Sequence, residues 1–78
     1  MATETRVNEW FSVENSPAWA NSEIAAYRIW QRKTETEAYQ RHEWKYRDGS
    51  TEMDEWIAAP RNVAWCVGSR IVSEKEAA

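Results

Sequence analysis

Tryptophan recurs six times in 78 residues, as Trp10, Trp19, Trp30, Trp44, Trp56 and Trp65. Each indole removes roughly 150–250 Å² from water when buried, and a domain of this length has little interior to receive it. The chain must build its core around these side chains or leave some on the surface as contact anchors. Other stabilising devices are scarce. A single cysteine, Cys66, rules out an internal disulfide, and with a single histidine, His42, no Cys/His zinc set can be assembled. No metal and no cofactor are expected.

The length allows one domain over residues 1–78, with the charged segment 73–78 frayed. Residues 5–13 read as a strand, with Val7, Phe11 and Val13 on one face and Trp10 on the other. A helix aligning Val7, Trp10 and Phe11 is the competing reading. Asn15-Ser16-Pro17 has the form of a helix start, Ser16 as N-cap and Pro17 as first helical residue. From there Trp19, Ala20, Ile24, Ala26, Tyr27 and Trp30 fall on one helical arc, which predicts a long helix over 17–33. Residues 38–47 alternate. Ala38, Gln40, His42, Trp44 and Tyr46 take one face and Tyr39, Arg41, Glu43, Lys45 and Arg47 the other, as in a half-buried strand that ends at Asp48-Gly49.

An acidic first turn followed by Met53, Trp56 and Ile57 predicts a short helix over 52–59, closed by Pro60. Residues 62–72 are apolar on both faces and read as a covered strand, with Gly68 a bulge. The expected fold is α+β: a small, mainly antiparallel three-stranded sheet (5–13, 38–47, 62–72) packed with one long helix (17–33) and one short helix (52–59). An alternative folds 24–47 as one long hairpin. Ala18, Ala20, Ala25 and Ala26 favour the helix, because alanine is a strong helix former and poor in strands.

Charge is segregated along the chain. Segments 1–26, 27–47 and 48–78 carry −3, +3 and −3, which sum to the net −3. Catalytic groups are sparse. His42 shares a strand face with Trp44 and Tyr46 and is expected to be packed and hydrogen-bonded. Cys66 lies in the most apolar segment, where burial leaves a thiol inert. Glu52, Asp54 and Glu55 lack the ligand spacing of a calcium loop, and two glycines cannot make a phosphate loop. The expectation is a chain that is not an enzyme.

Two binding classes remain. Tryptophan, tyrosine and arginine are enriched at interface hot spots, and Trp10, rimmed by Arg6 and Glu14, is the tryptophan expected to stand exposed. Glu52, Asp54 and Glu55 could imitate phosphates against a basic channel. The profile is similar in type, though in no motif, to small accessory proteins of phages and mobile elements, some of which occlude a surface of a host complex such as a CRISPR effector. That similarity implies a non-enzymatic, protein-binding, inhibitor-like module whose partner is a host protein or protein complex. The alternative is a nucleic-acid binder using the outward strand face Tyr39, Arg41, Lys45 and Arg47, extended by Arg28 and Arg32. Glu43 within that face and the acidic net charge weigh against it. No apolar run approaches the roughly 20 residues of a membrane span, and no secretory leader is read at Met1-Ala-Thr-Glu-Thr-Arg. A cytoplasmic setting is expected.

Overall fold

A computed structural model describes residues 3–72. In chain order the elements are β1 (Glu4–Val7), β2 (Phe11–Ser12), a 3₁₀ turn (Pro17–Trp19), β3 (Ile24–Lys33), β4 (Ala38–Tyr46), β5 (Thr51–Met53), β6 (Ile57–Ala59) and β7 (Arg70–Val72). All strands join one antiparallel sheet in the order β5-β4-β3-β1-β7. The two-residue β2 lies beside β3 beyond β1, and β6 lies beside β4 beyond β5.

The fold is all-β, which overturns the α+β expectation. The helix expected over 17–33 is absent: only Pro17–Trp19 is helical, as one 3₁₀ turn, and Ile24–Lys33 is the longest strand of the sheet. The long-hairpin alternative is the arrangement found. Thr34 closes it, with its N–H donating to the Glu37 carbonyl at 2.9 Å and its hydroxyl oxygen accepting the N–H groups of Thr36 and Glu37. That tight turn pairs β3 with β4 along nearly their whole length, satisfying backbone groups that a helix would leave unmatched on β4.

The helix expected over 52–59 is also absent. Asp48-Gly49 makes a hairpin turn, with Gly49 at φ +91° where other residues are strained. It returns the chain as β5 along one end of β4, and β6 pairs with the other end. The expected strand 62–72 survives only as β7; the rest is loop. The expected strand 5–13 breaks after Val7, where Asn8 replaces regular pairing: its side-chain oxygen accepts the Ile29 N–H at 2.7 Å and its own N–H donates to the Ile29 carbonyl. The strand over 38–47 is present as β4, and the tail 73–78 lies outside the described residues.

Pairing register assigns each side chain to a face, because cross-strand partners point the same way. One face carries the rows Val7–Trp30–Arg41, Arg28–Glu43–Met53 and Thr5–Arg32–Tyr39–Ala58. The buried cluster Val7, Trp30 and Val72, with Met53 and Trp56 against it, lies here. The opposite face carries the rows Phe11–Tyr27–Trp44–Glu52 and Arg6–Gln31–Gln40–Ile57.

Candidate interaction surface

The first face is a ladder in which cations alternate with aromatic rings. Lys45 Nζ and Arg28 Cζ lie 4.4 and 4.2 Å from the Trp10 ring centre. Arg28 and Arg41 flank Trp30 at 5.3 and 5.9 Å. Arg41 and Arg32 flank Trp56 at 4.4 and 4.5 Å, and Arg32 reaches Tyr39 at 5.8 Å. Each contact sets a positive charge against the negative face of a π system. Glu43 sits inside the ladder, 6% exposed. One of its carboxylate oxygens accepts from Arg28 Nε at 2.6 Å and from the Trp30 indole N–H at 2.8 Å. Burial, reinforced by Arg32, lowers the Arg41 guanidinium pKa from its ordinary value.

The expected nucleic-acid set largely gathers here. Arg28, Arg32, Tyr39, Arg41 and Lys45 share this face. The face was expected to point outward; it is instead the one on which Trp10 and Trp56 lie. Arg47 stands apart past the end of β4, donating to the carbonyls of Ser22 and Trp19. The protein-binding set does not assemble. Trp10 is half-buried between Arg28 and Lys45. Arg6 is on the opposite face, paired with Glu4 at 2.9 Å and lying 4.5 Å from the Trp65 ring centre. Glu14 is exposed in the loop after β2, and Glu55 is exposed between β5 and β6. Glu52 and Asp54 lie along the β5 side of β4.

The opposite face has a covered half and an open half. The loop of residues 60–69 lies over the middle of the first, while Ile57 and Ile71 at its two margins stay 59% and 66% exposed. Buried Gln31 grips it from both ends of its amide, donating to the Ala64 carbonyl at 3.1 Å and accepting the Cys66 N–H at 2.8 Å. Lys33 Nζ donates to the Val63 carbonyl and lies 4.7 Å from the Trp65 ring centre. Partial burial raises the Cys66 thiol pKa and suppresses its thiolate.

The open half is aromatic. Phe11, Tyr27 and Trp44 follow one another across β2, β3 and β4, with ring centres 5.4 and 5.8 Å apart. Trp19 comes down from the 3₁₀ turn to 6.3 Å from Tyr27, and His42 stacks on Trp44 at 5.4 Å and 9°. Phe11 is 58% exposed, and Trp19, Tyr27 and Trp44 are half-buried. The β5 side of the row is acidic. Glu52 stands opposite Trp44 and accepts the Tyr46 hydroxyl at 3.2 Å. Asp54 accepts the His42 backbone N–H at 2.6 Å and lies 3.3 Å from its Nδ1. Sequence reasoning misses this row. Its signal is the alternation His42, Trp44, Tyr46 taken together with Tyr27 of the hairpin alternative.

Among the described residues no group of three or more His, Cys, Asp or Glu side chains is placed to hold a metal ion. No helix of the described residues is long and apolar enough to cross a membrane. No protein-family model, curated protein or solved structure matches the chain.

Proposed function

We propose that this chain is a non-enzymatic protein-binding module whose contact surface is the open aromatic row Phe11, Tyr27 and Trp44 with Trp19 beside it. The observation that carries this reading is the contrast between two halves of one sheet face. Trp65 and its loop cover the middle of one half, over Arg6 and Lys33, and leave the separate aliphatic side chains Ile57 and Ile71 exposed at its margins, while the other half keeps a contiguous row of rings in partial contact with water. Contiguous exposed aromatic surface on a small domain marks interaction sites, and such side chains supply most of the energy at interface hot spots. The contact role expected of Trp10 passes to these rings, because Trp10 is engaged on both sides by Arg28 and Lys45. In its narrower form the proposal is an inhibitor that occludes a surface of a host complex in the cytoplasm, where a free Cys66 is at home.

The test is affinity capture from nuclease-treated lysate with the wild-type chain, Phe11→Asp and Trp19→Ala, each checked for retained sheet by circular dichroism. A partner held by the wild type and lost by both folded variants supports the surface. Equal retention by all three removes it. An inhibitor would block its target's activity at a one-to-one ratio.

The nucleic-acid alternative has one observation behind it, the gathering of Arg28, Arg32, Arg41 and Lys45 on the ladder face. That face is occupied by the chain's own rings and by Glu43. Single-strand binding needs free rings for bases and free cations for phosphates. Absence of retention on single- or double-stranded oligonucleotides at low salt excludes it.

A further inference from the structure

The acidic end of the aromatic row has its own shape. Ile24, Trp44, Tyr46, Glu52, Met53 and Asp54 line a cleft of about 210 Å³ where β4 and β5 meet. Two rings and two carboxylates around one space fit a cation that is flat enough to stack and rich enough in donors to serve both acids. Guanidinium meets both conditions: it is planar, permanently charged and has five N–H donors in a fixed fork. Each carboxylate keeps acceptor capacity: Glu52 is engaged by the Tyr46 hydroxyl, and Asp54 by the His42 N–H and the His42 ring Nδ1, while a carboxylate offers about four acceptor positions.

Charge segregation strengthens the case. Arg28, Arg32, Arg41 and Lys45 all turn to the ladder face, and Arg6 and Lys33 lie under Trp65. Arg41 feels the charge of Asp54, yet its head rests on Trp56 at 4.4 Å, on the ladder side. Arg47 is committed to backbone carbonyls. Among the described residues, the cleft end of the aromatic row therefore presents carboxylates beside which stands His42, its Nδ1 3.3 Å from Asp54, but no lysine or arginine of the same sheet face. The ladder face shows the same chemistry in use: guanidinium groups rest at 4.2 to 4.5 Å from indole centres.

We propose that the cleft between Trp44, Tyr46, Glu52 and Asp54 receives an arginine side chain from a basic segment of the partner protein. This rests on the protein-binding reading and adds the partner's chemistry to it. The arginine head enters the cleft, its guanidinium bridging the two carboxylates and stacking on a ring, while the flanking partner residues lie along Trp44, Tyr27 and Phe11.

The experiment titrates the isotopically labelled chain with a blocked Arg-Gly-Arg peptide and follows backbone amide and indole N–H shifts. Lys-Gly-Lys and the neutral citrulline-Gly-citrulline peptide are the comparators. Saturable shifts should concentrate on Trp44, Tyr46, Glu52 and Asp54, strongest for arginine and absent for citrulline. Glu52 is exposed and bonds only the Tyr46 hydroxyl among the described contacts, so Glu52→Lys keeps the fold. It should weaken binding about tenfold or more, the worth of one charge-assisted contact. Glu35→Lys, at the far hairpin turn, makes the same change in net charge and should leave binding within about twofold, since the turn lies beyond a Debye length from the cleft. Shifts scattered over all acidic residues, or equal losses in both variants, overturn the cleft. A concentration-dependent dimer abolished by Glu52→Lys assigns the cleft to a second copy and overturns the foreign segment. A captured partner lost with Phe11→Asp but unaffected by Glu52→Lys leaves the protein-binding reading standing and removes the arginine proposal alone.

Discussion

Glu43 shows how a charged residue can hold a core together. It looks like an intruder in a basic strand face, yet it is among the most buried polar side chains described, at 6% exposure. Its carboxylate oxygen is shared by the Arg28 guanidinium and the Trp30 indole N–H. Removing it would leave a half-buried cation and a buried donor without their acceptor. Breaking one side of a buried, hydrogen-bonded ion pair typically costs about 3–5 kcal/mol, because the surviving charge keeps its desolvation penalty. Glu43→Ala should therefore lower unfolding stability by about 3 kcal/mol or more in urea titrations. Glu43→Gln, which can still accept from Trp30, should cost less. Equal losses for the two variants would mean that the charge contributes nothing beyond the hydrogen bond. The Arg28–Glu43 pair is only 16% and 8% exposed, so added salt should not erase the difference.

Elements explain why parts of the fold are legible in the sequence and parts are not. β4 is readable because its two faces differ in kind: His42, Trp44 and Tyr46 alternate with Arg41, Glu43 and Lys45. β3 is not, because each of its faces mixes apolar and charged residues. Arg28 and Arg32 count as polar in a hydrophobic pattern, but here their stems and guanidinium planes pack like core side chains against indoles. The alanines of β3 then tilt the reading to helix, and hairpin pairing with a fully formed neighbour overrides that propensity. The Asp48-Gly49 turn is visible in the sequence, although residues 52–59 beyond it suggest a helix rather than returning strands. At the candidate surface Trp44, His42, Glu52 and Asp54 each stand out in the sequence, and only the register of β2, β3 and β5 on β4 shows that they form one row with Phe11 and Tyr27. The loop after β6 is opaque for a different reason: side chains, rather than a ladder, hold it. Gln31 is 2% exposed and bonds the loop twice. Gln31→Leu should keep the sheet and release the loop. Amide hydrogen exchange at Cys66 and its neighbours should speed up by tenfold or more, about 1.4 kcal/mol of local protection, while Trp30 and Trp44 amides stay protected. Uniform acceleration throughout the chain would show that the loop and sheet unfold as one unit.

The whole molecule is a single sheet with no second sheet or long helix packed on it among the described residues, and its extents are 43 × 23 × 20 Å. A sheet ordinarily buries its faces against another layer. Here the loops lay tryptophans down instead. Trp10 and Trp56 cover the ladder face, and Trp65 and Trp19 come down on the other, while Trp30 rises from β3 between Arg28 and Arg41 and Trp44 rises from β4 beside Tyr27 and His42. Large flat side chains serve as the missing layer, and cations fill the gaps that aliphatic residues fill elsewhere. Of the six indoles only Trp30 is buried, so the load of tryptophan reflects thin covering rather than a deep core. Each cation–aromatic contact is worth about 0.5–1 kcal/mol at partly exposed sites. Several in series approach the few kcal/mol by which small domains are stable. A denaturant that is itself a guanidinium ion should attack this arrangement beyond its usual action. It competes for the same indole faces and for Glu43, whereas urea offers no charge. Guanidinium chloride is ordinarily about twice as effective as urea per mole. For this chain the ratio of urea to guanidinium midpoints should clearly exceed that, while sodium chloride at matched ionic strength shifts the urea midpoint little, because the pairs are partly desolvated. A ratio of about two, or a sodium chloride effect as large as that of guanidinium, would show that the ladder decorates the sheet without stabilising it.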